Sequence, residues 1–223
     1  MSIENDKLAG LTRAAVGLEQ SELGTLLDII KKSNKYNAWQ QVKDFSQTLV
    51  AEAVAAALLV MVGTVSIATT TEDFVAKDKF AVNTEVSAQV KISNRGEQFK
   101  NWFLSKVEAP FAGSELRYQK LSENSMDIPV IIELGGEDRA ETELTEMFSL
   151  MEKQPDGEKG VLLNNGYANI FYIRDAYRVL RAVGVRWGDD GGWDVDAYPL
   201  GAPCAWDDDC RVFLSIARGA STA

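Results

Sequence analysis

Between Trp187 and Cys210 the chain reads WGDDGGWDVDAYPLGAPCAWDDDC, which holds three tryptophans, seven aspartates and both cysteines but no lysine or arginine. Three chemistries suit that set. Asp189, Asp190, Asp194, Asp196, Asp207, Asp208 and Asp209 are hard oxygen ligands without local counter-charge, as Ca²⁺ coordination requires. Their spacing departs from the D-x-[DN]-x-[DN]-G loop of EF-hands, and the competing reading is an acidic rim that keeps a sheet edge from pairing. Trp187, Trp193 and Trp206, beside Asp194 and Asp196, are the residue types that stack on a sugar ring and accept its hydroxyls. Strand alternation instead points Trp187 and Trp193 inward. Asp194 and Asp196 share one strand face, roughly 7 Å apart along it, and glycoside hydrolysis needs a carboxylate pair at about that separation. One member would also need a pKa raised by an apolar pocket.

Composition removes other classes. The chain of 223 residues contains no histidine, so Ser-His-Asp and Cys-His machinery and histidine-based zinc sites are excluded within one chain. The two cysteines, Cys204 and Cys210, are too few for a Cys₄ site, and their spacing fits either a short disulfide loop or two thiols. A net charge of −10 with scattered basic residues argues against nucleic acid, because phosphate binding relies on clustered Lys and Arg. The start, MSIENDKLAG, lacks the order of a secretory signal, and a cytoplasmic protein with free thiols is expected. Ca²⁺ is the one cofactor for which ligand types qualify.

The elements that would position these residues follow from periodicity. Residues 1–63 read as helical. Leu23, Leu26, Leu27 and Ile30 form one stripe, and Trp39, Val42, Phe45 and Leu49 continue another after Asn37, a good N-cap. From Ala53 to Ala68 the run carries no charge on any face, and a helix apolar all round must be buried. It is short of the ~20 residues a bilayer needs, so burial in protein is expected and a membrane is not. Val54, Ala57, Leu58 and Met61 are its candidate contact residues. From 64 to 158 the texture is mixed: VSIATTT, FAVNTEVSAQVKIS, SELRYQKLS and IPVIIEL read as strands, GEQFKNWFLSKVEA and EDRAETELTEMFSLMEKQ as helices. The glycines of IIELGGEDRAE suggest a phosphate cradle, but Glu137 and Asp138 at that helix start repel phosphate and satisfy the helix dipole. From 159 to 223 the chain reads as strands: VLLNN, NIFYIR, RVLRAVGVRW, GWDVDAY and RVFLSI, with DDGG making a hairpin turn.

The pieces VKIS and FKNWFLSKVE, then IIELGGEDRAETELTEMFSLMEKQPDGEKGVLLNNGYANIFYIRD, then VLRAVGVRWGDDGGWDVDAY with a later Trp and RVF, carry a resemblance. Over about residues 66–216 the chain resembles a family of uncharacterised proteins predicted from uncultivated, small-genome bacteria. That resemblance implies a recurrent C-terminal Trp/Asp-rich β module and no assigned activity. Some members carry a D-x-x-G turn where this chain has DAYR, Asp175 to Arg178.

The expected fold is α+β: an N-terminal helical segment (1–63), a mixed α/β region (64–158) and an antiparallel β-sheet module (159–223). The expected function is that of a structural or protein-interaction protein that self-associates or binds another protein, without catalysis. The alternative is a glycan- or calcium-binding module, or a carboxylate-based glycan enzyme, built on residues 187–210.

Overall fold

The computed structural model describes residues 57–202 and 204–218, with backbone alone for Ala217 and Arg218. Residues 1–56, including Val54 and most of the expected helical segment, lie outside the described residues. In chain order the elements are β1 (Leu59–Ile67), β2 (Phe74–Val75), α1 (Ala76–Lys79), β3 (Ile92–Arg95), α2 (Glu97–Phe103), β4 (Val107–Glu108) and β5 (Ser114–Leu121). There follow α3 (Asp127–Leu134), α4 (Glu137–Ala140), β6 (Glu141–Thr142), α5 (Leu144–Glu152), β7 (Asn169–Arg174), β8 (Leu180–Trp187), β9 (Trp193–Pro199) and β10 (Arg211–Arg218). Mixed α and β composition is therefore present, with the sheet dominant.

The main sheet runs in the order β1-β5-β10-β7-β8-β9-β3, with β6 beside β7, and β2 and β4 pair in a separate two-stranded sheet. β7, β8 and β9 form an antiparallel meander. β10 does not continue it. It crosses back to lie antiparallel to β5 and touches β7 in parallel only at Arg211–Asn169 and Val212–Ile170. The other half of β7 is taken by β6, also parallel, through Glu141–Tyr172 and Thr142–Ile173. β3 closes the far edge, parallel to β9. The purely antiparallel close expected for 159–223 is thus corrected, and strands from before and after residue 159 share one sheet. The reason is connectivity: after β9 the chain returns past β8 and β7 to pair with β5, which a hairpin cannot do.

Alternation along each strand sends apolar residues to both faces. On one face Phe171, Ile173, Val183, Val185, Trp193, Val195 and Phe213 pack with α1, α2 and α5. On the other, Ile170, Tyr172, Leu180, Ala182, Val212 and Leu214 pack with α3 and Trp206. α5 is anchored at its start by Glu108 on β4, whose carboxylate accepts from the Leu144 and Thr145 N–H groups at 2.9 and 2.8 Å and pairs with Lys106 at 2.8 Å.

Five local expectations are overturned in whole or in part. The apolar run to Ala68 is not one helix: its second half is β1, because Val60, Val62, Thr64, Val65 and Ile67 are β-branched and suit a pleated ladder. IPVIIEL is helix α3, not a strand. Pro129 sits in its first turn, where the missing N–H costs nothing, and Gly135 closes it at φ 98°. Val130, Ile131 and Leu134 are buried at helical spacing, while Ile132 is 69% exposed. The long helix expected from Glu137 is split into α4 and α5 by β6. VLLNN forms no strand, and of FAVNTEVSAQVKIS only its end enters β3. Among the described residues no helix is long and apolar enough to cross a membrane.

Candidate functional site

The three tryptophans do not form one platform. Trp193 is fully buried, and its Nε1 donates to the Gln154 carbonyl at 3.0 Å. Trp187 packs edge-on against it, centroids 5.2 Å apart, and is covered by the turn at Gly157. Gly157 stands at φ 68°, and a Cβ there would lie 2.2 Å from the Trp187 ring. Trp206 belongs to the opposite face of the sheet, is 7% exposed and stands 5.5 Å from Tyr198 at 84°. The expected sugar-stacking set is therefore corrected: alternation along β9 puts Trp193 on one side of the sheet, and Asp194 and Asp196 on the other with Trp206.

That second face of β8 and β9 is the more informative. Arg186 stands directly across from Asp194, and Gly184 across from Asp196, so a cation sits among the aspartates that looked unpaired in sequence. Asp194 accepts from Asn94 Nδ2 at 3.0 Å across the β3 edge. Burial, and after it the charge of Asp196, raise the Asp194 pKa. Asp196 lies against Gly96, where a Cβ would meet its Oδ1 at 1.5 Å, so only glycine admits this carboxylate to the start of α2. Tyr198 completes the row, with its hydroxyl 3.4 Å from Asp196 Oδ2 and its pKa raised chiefly by burial and then by Asp196.

The row ends on a residue that sequence reasoning missed. Asp127 opens α3 and is 3% exposed. Its Oδ1 accepts from Trp206 Nε1 at 2.8 Å and from the Tyr172 hydroxyl at 3.1 Å, and the Gly201 N–H also donates to the carboxylate. Burial nevertheless outweighs these donors and raises its pKa. The same carboxylate and burial push the Tyr172 hydroxyl well above its ordinary value. One signal was available in the sequence: an Asp two residues before a proline and just ahead of an apolar run is a helix-start pattern. Asp127, Arg186, Tyr198, Ala202, Cys204, Ala205 and Trp206 line a partly open cavity of about 180 Å³. Cys204 is exposed and Cys210 buried, and both are free thiols.

The remaining aspartates fall into two turns. Asp189 and Asp190 occupy the β8–β9 hairpin turn closed by Gly188 and Gly192. Asp207 to Asp209 precede β10, where the Asp208 N–H donates to Asn124 at 2.8 Å and Asp209 pairs with Lys120. Among the described residues no three carboxylates or thiols converge as a metal-binding group.

The other candidate feature is the β1 edge. Leu58, expected at an interface, is core: it is 9% exposed, and its N–H donates to Glu133 at 3.0 Å. Ala57 is partly exposed, and Met61 is 50% exposed between Val60 at 49% and Val62 at 46%. A bulge between Met61 and Gly63 leaves Val62 without a partner on β5, which is why three consecutive side chains meet solvent. Among the described residues β1 pairs only with β5. No family model, curated protein or solved structure matches the chain.

Proposed function

We propose that the protein acts by binding protein, and that it self-associates by pairing β1 with the β1 of a second copy. The observation that carries this reading is the run Val60-Met61-Val62, exposed on an edge strand nine residues long. Natural edges are usually guarded by Lys, Pro, inward charges or a bulge; LVMVGTVSI has no charge and no Pro, and its bulge turns Val62 outward. An exposed edge offers main-chain hydrogen bonds to an added strand, and exposed apolar side chains add area to the contact. A second copy fits better than a charged partner. The chain carries −10 overall, and an uncharged strand is where two such molecules can meet without bringing like charges together. A two-fold antiparallel pairing sets β1 against itself.

Light scattering after size exclusion, on the full chain at tens of micromolar, is expected to give a dimer. Met61→Lys and Val60→Lys, both at exposed positions, are expected to weaken the dimer at least tenfold while leaving the circular dichroism unchanged. A monomer at all accessible concentrations, or a dimer indifferent to both substitutions, would sink the proposal. Leu58→Glu is unsuitable as a probe because it buries a charge in the core.

A further inference from the structure

The cavity beside Asp127 carries an inference independent of the β1 edge. We infer that it is a binding site for a small zwitterion, an α-amino acid, with Arg186 holding the carboxylate and Asp127 the ammonium. Size sets the first limit. A cavity of about 180 Å³ is on the scale of the ~150 Å³ cavity that accepts benzene, so the part of the ligand that it holds has roughly ten non-hydrogen atoms or fewer.

Charge sets the second. Arg186 makes no ion pair within 4 Å among the described residues, although it faces Asp194 across the ladder and lies 5.8 Å over the Trp206 ring. Its side chain also donates to the Tyr198 hydroxyl oxygen, and the other donors of the five-donor fork form a bidentate seat for a carboxylate on the cavity wall. Asp127 lies on the wall of the same cavity. An ionised carboxylate offers about four lone-pair directions, and Trp206, Tyr172 and Gly201 use three of them. One remains for a ligand N–H. A simple anion would gain Arg186 but meet Asp127 and Asp194. A simple cation would gain Asp127 but meet Arg186. A molecule carrying both charges satisfies both walls, and the edge-to-face pair Tyr198–Trp206, with Ala202, Ala205 and Cys204, leaves apolar room for a short side chain.

The test is calorimetry on the full chain with L-alanine and L-leucine, against propanoate and propylamine, which each keep one charge. Hydrogen bonds to charged groups contribute about 1.5–3 kcal/mol, roughly ten- to a hundredfold in affinity. The amino acids are therefore expected to bind at least tenfold more tightly than either half-molecule, and Arg186→Gln to remove that advantage over propylamine. Ala205→Leu, at an exposed position on the wall, is expected to weaken every probe by narrowing the cavity without changing charge. Amino acid bound at the site is also expected to slow alkylation of Cys204 by iodoacetamide. Binding of propanoate or propylamine as tight as that of the amino acids overturns the zwitterion assignment. No heat from any probe at 10 mM, or binding indifferent to Ala205→Leu, overturns the site.

Discussion

Asp127 concentrates the polar geometry of its face of the sheet. Its carboxylate ties α3 to β7 through Tyr172 and to the 200–206 loop through Trp206 and Gly201. Just past the end of β7, Asp175 does similar work in a turn. It is 2% exposed, accepts from the Tyr177 and Val179 N–H groups at 2.8 and 2.9 Å, and pairs with Arg181 at 3.0 Å. Arg181 in turn lies 3.9 Å from the Trp102 ring. The fourth residue of that turn, Arg178, stands at φ 64°, a left-handed conformation that L side chains adopt at a cost. It is the position at which a D-x-x-G turn would carry glycine. Arg178→Gly is expected to stabilise the fold by roughly 0.5–1 kcal/mol, read as a higher urea midpoint with an unchanged slope. A lower midpoint would mean that the Arg178 side chain contributes more than its backbone strain costs.

Among the elements, the β8–β9 hairpin shows how packing decides what a residue can do. Trp187 and Trp193 face each other across its last pair, and the turn at Gly157 closes over them from the loop after α5. Gly157→Ala meets two penalties: a positive φ, and a Cβ that would overlap the Trp187 ring. The expected loss is about 2–3 kcal/mol, with Trp187 fluorescence shifted to the red as its cover lifts. An unchanged spectrum and midpoint would show that the loop can move away without cost. β1 illustrates the opposite case, because it has a partner on one side only and a bulge that turns Val62 out. Its apolar run Val60-Met61-Val62 is about half exposed, which is why the proposed association is placed there.

Across the sheet, the face bearing Asp127 and Asp194 holds carboxylates whose pKa values are raised by burial. A carboxyl with a folded pKa above its unfolded value of about 3.9 binds protons more tightly when folded. Its contribution to stability is full below the unfolded value and is lost as pH rises through the folded one. Asp127→Asn removes that dependence while retaining an acceptor for Trp206 and Tyr172. The stability of the natural chain relative to Asp127→Asn is expected to be greatest near pH 3.5 and to decline through mildly acidic pH. A difference that is constant or grows with pH would show that the donors around Asp127 outweigh its burial.

Much of the strand content could be read locally. β5, β7, β8, β9 and β10 coincide with alternating or β-branched runs, and DDGG is the turn between β8 and β9. These features depend on neighbours in the chain, so residue order suffices to set them. The exclusion of histidine chemistry is equally independent of folding. Composition also showed an acidic, tryptophan-rich end, but not its layout. Which aspartates have a counter-charge depended on Arg186 and Lys120, which lie outside the acidic stretch and reach it only through strand pairing. α3 reads as a strand by propensity, and became a helix because its buried residues meet the sheet at helical spacing. The cavity draws on α3, β8, β9 and the 200–206 loop, up to 79 positions apart. A site assembled across such separations is set by the order of strands in the sheet, and that order is decided only when the two faces close over their cores.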